Sequence, residues 1–63
     1  MNIVKLRERF EMSQPMLADK IGVAFNTISD YENGRVMPSM EVAWKIADLF
    51  NVSIDYVVGR SDT

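Results

Sequence analysis

The chain has 63 residues, 48% of them hydrophobic and 25% charged, the balance of one small globular domain over 1–63 and not of a disordered segment. It has no cysteine and no histidine, which excludes a disulfide framework and a thiolate metal site and removes the commonest general base and zinc ligand. No apolar run exceeds three residues and the net charge is −2, so the reading is a reduced, cytoplasmic protein with no membrane span, no visible signal peptide and no basic coat for nonspecific nucleic-acid binding.

Helical spacing runs through the chain and strand alternation is scarce, which predicts an all-α bundle of five short helices. The first is predicted over 2–11, with Ile3, Leu6 and Phe10 on one stripe. Ser13 is a good N-cap for the second, and Pro15 falls in its first turn, where a missing N–H does no harm. Leu17, Ala18 and Ile21 are its apolar positions, and Gly22 stops it. The third starts at Ala24 or Phe25, turns Ile28 and Tyr31 inward and ends at Asn33-Gly34. After a loop over 35–38, Ser39 caps the fourth, with Glu41 in its first turn and a stripe of Met40, Ala43, Trp44, Ala47 and Phe50. Ser53 caps a last helix with Ile54, Val57 and Val58, closed by Gly59, and residues 60–63 read as a frayed tail. Acidity is uneven: residues 1–35 hold five bases and five acids, while the excess of two acids lies in 36–63.

The stretch from Gln14 to Asn33 carries most information. Two helices joined by so short a turn cross steeply. The crossing needs a small residue where the helices approach (Ala18), a left-handed turn residue (Gly22) and an apolar residue to tuck the turn down (Val23). Ile28 then meets Leu17 and Ile21. An ordinary antiparallel hairpin with a glycine turn does not require that combination.

In the segments LRERFEMSQ, LADKIGV, NTIS, YENG, the PS before the fourth helix and ADLFNVSIDYVVGR, the chain resembles the helix-turn-helix domain of lambda-type phage repressors, Cro proteins and xenobiotic-response-element-type regulators. The resemblance runs from Leu6 to Gly59. It implies a five-helix DNA-binding domain with the helix-turn-helix pair at about 14–33, acting as a homodimer on a near-palindromic operator and regulating transcription.

The resemblance also implies site residues. Gln14 falls where such domains set a glutamine against the DNA backbone, and Asn33 and Arg35 where they touch phosphates beyond the third helix. The third helix corresponds to the one that enters the major groove, with Phe25, Asn26, Ser29, Asp30 and Asn33 outward and Thr27 at the edge. Asn26 and Asp30, four apart, share a face. Asn26 has the groups for a bidentate pair with adenine and Phe25 for a thymine methyl. Phe25 is equally suited to packing on the turn or on a neighbour. Asp30 is open to two uses, accepting from cytosine N4 or pairing with a base of the protein. Arg7 and Glu32 correspond to a buried pair tying the first helix to the third. Ala24 stands where relatives carry a capping hydroxyl, and Met16 where a capping box would have glutamate.

Trp44 reads as core or interface, and the methionines as adaptable packing. Leu49, Tyr56, Val57 and Val58 are more apolar surface than a bundle of this size hides, which makes them candidates for a twofold dimer contact, with partial exposure the alternative. No catalytic centre, metal site, cofactor or small-molecule substrate is legible. The competing function is a protein-interaction module on the same fold, of antirepressor or antitoxin kind. Whether the chain is complete or the front of a longer repressor stays open.

Overall fold

Serine hydroxyls start three of the five helices in the computed structural model, which describes residues 1–60. The helices are α1 (Ile3–Arg9), α2 (Gln14–Ile21), α3 (Phe25–Glu32), α4 (Met40–Phe50) and α5 (Ile54–Val58). Ser13 Oγ accepts from the Met16 amide at 3.2 Å, Ser39 Oγ from Val42 at 3.3 Å and Ser53 Oγ from Tyr56 at 3.0 Å. Each bond satisfies one of the amides that a helix start leaves without a partner. At the start of α3, Ala24 has the extended backbone of a cap but no side-chain bond to offer.

The ends follow as simply. Gly22 closes α2 at φ 76°, and the amides of Gly22 and Val23 both reach back to the Ala18 carbonyl, at 2.9 and 3.0 Å. Asn51 closes α4 in the same left-handed region at φ 56°. The predicted α1 was longer than the observed one. Glu11 takes φ 55°, and its amide turns back to the Glu8 carbonyl at 3.1 Å, so the chain has left the helix before Glu11. Of the predicted tail, all but Arg60 lies outside the described residues.

Ile3, Leu6, Leu17, Ile28, Ile46 and Val57 are fully buried at the centre, with Ala18, Ile21, Tyr31, Ala47 and Phe50 around them. The stripes read for α2 and α3 are the buried ones. In α4 the buried side is Ala43, Ile46, Ala47 and Phe50, while Met40 and Trp44 are 66% and 59% exposed. The expectation of Trp44 in the core is therefore corrected. Both sets fit the helical repeat, but the true stripe is centred one step further round and takes in Ile46. Phe10 is half exposed, yet its ring meets that of Phe50 at a centroid distance of 5.0 Å.

α3 packs chiefly on α2 and α1, and α5 on α4. The chain start is tied down on α5: the Asn2 amide donates to the Val57 carbonyl at 3.0 Å and Asn2 Nδ2 to that of Tyr56 at 2.7 Å. Val57 is thereby sealed in the core at 0% exposure, so its assignment to a dimer surface is corrected. No helix among the described residues is long and apolar enough to cross a membrane.

Candidate nucleic-acid interface

The turn of Gly22, Val23 and Ala24 delivers α3 with Ile28 and Tyr31 against α1 and α2 and the opposite side uncovered. Phe25 (49% exposed) and Asn26 open that uncovered side, and neither side chain hydrogen-bonds within the described chain. Thr27 is half-buried at the edge. Ser29, Asp30 and Asn33 continue the same side toward the helix end. All the predicted outward residues of α3 thus share one strip of surface.

The far end of the strip is internally bonded. Asn33 Nδ2 donates to the Ser29 carbonyl at 2.8 Å and to its hydroxyl at 3.3 Å. Arg35 Nη1 donates to Asp30 Oδ1 at 3.3 Å, and the Arg35 amide donates to the Asp30 carbonyl at 2.9 Å. Of the two uses open to Asp30, the ion pair is the one formed here.

Behind the strip lies a second, more covered network. Arg7 Nε and Nη2 donate to the two carboxylate oxygens of Glu32, at 2.7 and 3.2 Å, with side-chain exposures of 16% and 7%. Arg7 Nη1 donates to the Met12 carbonyl at 2.9 Å. The hydrogen bond to Glu32 holds the Arg7 guanidinium above its ordinary pKa, against the opposing effect of burial. Gln14 Nε2 donates to Glu32 Oε1 at 2.8 Å, a bond that sequence reading missed because its ends lie on different helices. An amide nitrogen carries two hydrogens, so one remains for an outside acceptor. Gln14 is also the first residue of α2, where Pro15 has no N–H and the Met16 and Leu17 amides are taken by Ser13, so of the leading amides the Gln14 N–H is the one left without a helix partner.

These bonds settle the electrostatics of the strip. α3 carries two acids, Asp30 and Glu32, and no base, which by itself repels a polyanion. Each acid is met by an arginine from outside the helix, Glu32 by Arg7 of α1 and Asp30 by Arg35 of the following loop. The surface formed is locally neutral, with amide and guanidinium donors along its border.

A packed helix pair joined by a three-residue turn, with the polar side of its second helix uncovered, defines a helix-turn-helix domain. Consistent with this, the helix-turn-helix family model matches residues 3–57, and the chain belongs to that family, in its lambda repressor and Cro branch. It is 39% identical over 54 residues to the transcriptional repressor RstR of the cryptic phage CTXphi in Vibrio cholerae, a match covering 86% of this chain and 48% of RstR. It is 42% identical over 53 residues to an HTH-type transcriptional regulator of Archaeoglobus fulgidus, covering 84% of this chain and 75% of that protein. It is 38% identical over 59 residues to the antitoxin PezA of Streptococcus pneumoniae, covering 94% of this chain and 37% of PezA. The chain thus spans about half the length of RstR and less of PezA. No solved structure matches it.

Proposed function

We propose that the domain is a sequence-specific DNA-binding repressor of phage or mobile-element type. The observation that carries this reading is the strip on α3, where Phe25 and Asn26 stand exposed and unbonded beside a border of positioned donors. Asn26 is assigned to adenine, Phe25 to a thymine methyl, and Thr27 and Ser29 to supporting contacts in the major groove. Gln14, Asn33 and Arg35 are assigned to phosphates, where contacts set register and carry no sequence information.

The active form in this reading is a homodimer, whose two copies of α3 enter successive major grooves about 34 Å apart. Of the dimer candidates, Val58 borders a groove of about 270 Å³ between α4 and α5 whose lining includes Met37, Met40, Ile54, Asp55 and Arg60. A second copy suits it for two reasons. The groove carries both an acid and a base, so a twofold partner can set Arg60 against Asp55. It is also lined by residues of the 37–38 loop, α4 and α5 and by none of α2 or α3, so the assigned strip on α3 is not part of it. Tyr56 and Leu49 remain outside the groove lining.

Selection from random duplexes, then titration of the selected operator at several salt concentrations, tests the reading. The expected result is a two-fold symmetric site and a log–log salt slope near −5, from roughly three phosphates per subunit. No saturable binding to any duplex at low salt overturns it. The similarity to the antitoxin PezA supports a second reading, a protein-binding module that uses exposed Phe25. Arg35→Ala weakening DNA binding on every duplex favours the first; Phe25→Ala abolishing capture of a protein partner while DNA binding is absent favours the second.

A further inference from the structure

Asp30 sits in the second half of α3, where a negative charge opposes the helix dipole, and on a strip meant to approach a polyanion. On both counts it is a residue out of place. Its partner explains it. Arg35 follows the left-handed Gly34 at φ 72°, and its backbone is pinned to α3 by the bond to the Asp30 carbonyl at 2.9 Å. The guanidinium on that pinned backbone is long and 65% exposed, so without a tether it samples many directions. The tether is a single contact, Nη1 to Oδ1 at 3.3 Å. The Nε and Nη2 groups of Arg35 have no partner among the described residues, so most of its five donors stay available while the pair is closed.

We propose that Asp30 is a positioning residue that holds Arg35 at the end of α3 for a DNA phosphate, and not a reader of bases. The proposal rests on the DNA-binding reading above. It makes a prediction opposite in sign to simple electrostatics. Neutralising an acid beside a polyanion raises affinity by removing repulsion. If Asp30 orients Arg35, Asp30→Asn lowers it.

The test is titration of wild type, Asp30→Asn, Asp30→Glu, Arg35→Ala and the Asp30→Asn/Arg35→Ala double variant against one selected operator and its single-base-pair variants. Wild-type binding is established first, so its absence is a failure of the DNA-binding reading itself and removes the proposal with it. The expected loss for Asp30→Asn is about threefold to fivefold, the reach of one exposed ion pair. It is the same on every duplex, is partly restored by Asp30→Glu and is absent in the Arg35→Ala background. The salt slope of Asp30→Asn flattens by up to about one per subunit, as it does for Arg35→Ala, a readout that a merely structural role leaves unmoved. Unchanged or raised affinity in Asp30→Asn overturns the proposal. So does a loss that vanishes on the duplex altered at one base pair while it persists on the others, which makes Asp30 a reader of that pair instead.

Discussion

Arg7 and Glu32 stand 25 residues apart in the chain and meet through a 2.7 Å hydrogen bond that fixes α1 against the last turn of α3. The bond does more than join two helices. Glu32 also accepts from Gln14, so one carboxylate sets α1, the start of α2 and the end of α3 in a single relative pose. The Gln14 amide and the α3 strip are assigned to the same duplex, and they reach it together only in that pose.

The two ends of this pair are unequal, which predicts an order of effects. Arg7→Ala leaves a carboxylate only 7% exposed with a neutral amide for company. Its expected cost is about 3 kcal/mol, the lower end for stranding one member of a buried pair. Glu32→Ala costs less, because Arg7 is 16% exposed, keeps the Met12 carbonyl at 2.9 Å and turns its charge toward water. Urea unfolding of both variants checks the order. Equal costs would mean that coverage of the stranded group does not set the penalty.

The start of α3 lacks what the starts of α2, α4 and α5 possess. Ala24 is already extended, at φ −70° and ψ 149°, so a hydroxyl placed there meets the amides without rearrangement. Ala24→Ser is expected to stabilise the domain by about 1 kcal/mol, which for so small a domain raises Tm by about 4–8 °C. Thermal unfolding followed by circular dichroism measures it. An unchanged or lower Tm shows that the missing cap was not limiting.

Legibility in the sequence divides along the distance over which each feature is decided. Ser13, Gly22, Ser39, Ser53 and Gly59 act on their own backbone, and each starts or stops a helix where the sequence alone places it. Leu17, Ala18, Ile21, Ile28 and Tyr31 are inward as read, because α2 and α3 each have one apolar side and no rival. α4 has two. Met40, Ala43, Trp44, Ala47 and Phe50 fit the repeat as well as Ala43, Ile46, Ala47 and Phe50, and only packing against the other helices puts Ile46 inside and Met40 and Trp44 outside. Val57 was misread for a related reason. A helix of five residues is too short to show a period, and what covers it includes Asn2, from the other end of the chain. The Gln14–Glu32 bond, across 18 residues, has no local signal at all.

Asn26 is exposed, carries no internal bond and shares the uncovered side of α3 with Phe25. Asn26→Ala is therefore expected to leave Tm unchanged while costing about 1–3 kcal/mol of discrimination at one base pair in each half-site. Titration against operators varied one pair at a time reads this directly. A uniform loss on all of them would move Asn26 from base reading to backbone contact.

Burial of Tyr31 predicts a loss of stability in alkali. The residue is 5% exposed, and burial raises its phenol pKa above the ordinary 10.0 because the ionised form is disfavoured there. A raised folded pKa means that the unfolded chain gives up its proton first. The contribution is complete below pH 10.0 and is lost as the pH rises through the folded value. Unfolding free energy is expected to fall above about pH 10, and Tyr31→Phe, which cannot ionise, is expected to remove that part of the fall. An identical pH profile for the variant would assign the alkaline loss to other groups.

Trp44 is the one tryptophan of the chain, and at 59% exposure it is a ready reporter of whatever covers α4. At about 100° per residue, Met40 and Trp44 lie on one flank of the buried stripe and Leu49 on the other, so one twofold contact does not cover all three. The α4–α5 groove is lined by Met40 and not by Trp44, which lies one helical turn further along the same flank, so a second copy seated there is expected to reach the indole as it extends past the groove. Emission is expected to shift to the blue as concentration rises through the dimer dissociation constant, in step with the mass seen by sedimentation. Met40→Glu places a carboxylate in the contact and is expected to hold the chain monomeric, with Trp44 emission red-shifted throughout and Tm little changed, since Met40 is itself 66% exposed. A dimer that forms by sedimentation with no change in Trp44 emission, and survives Met40→Glu, puts the contact elsewhere. The flank bearing Leu49 is then the surface to mutate next.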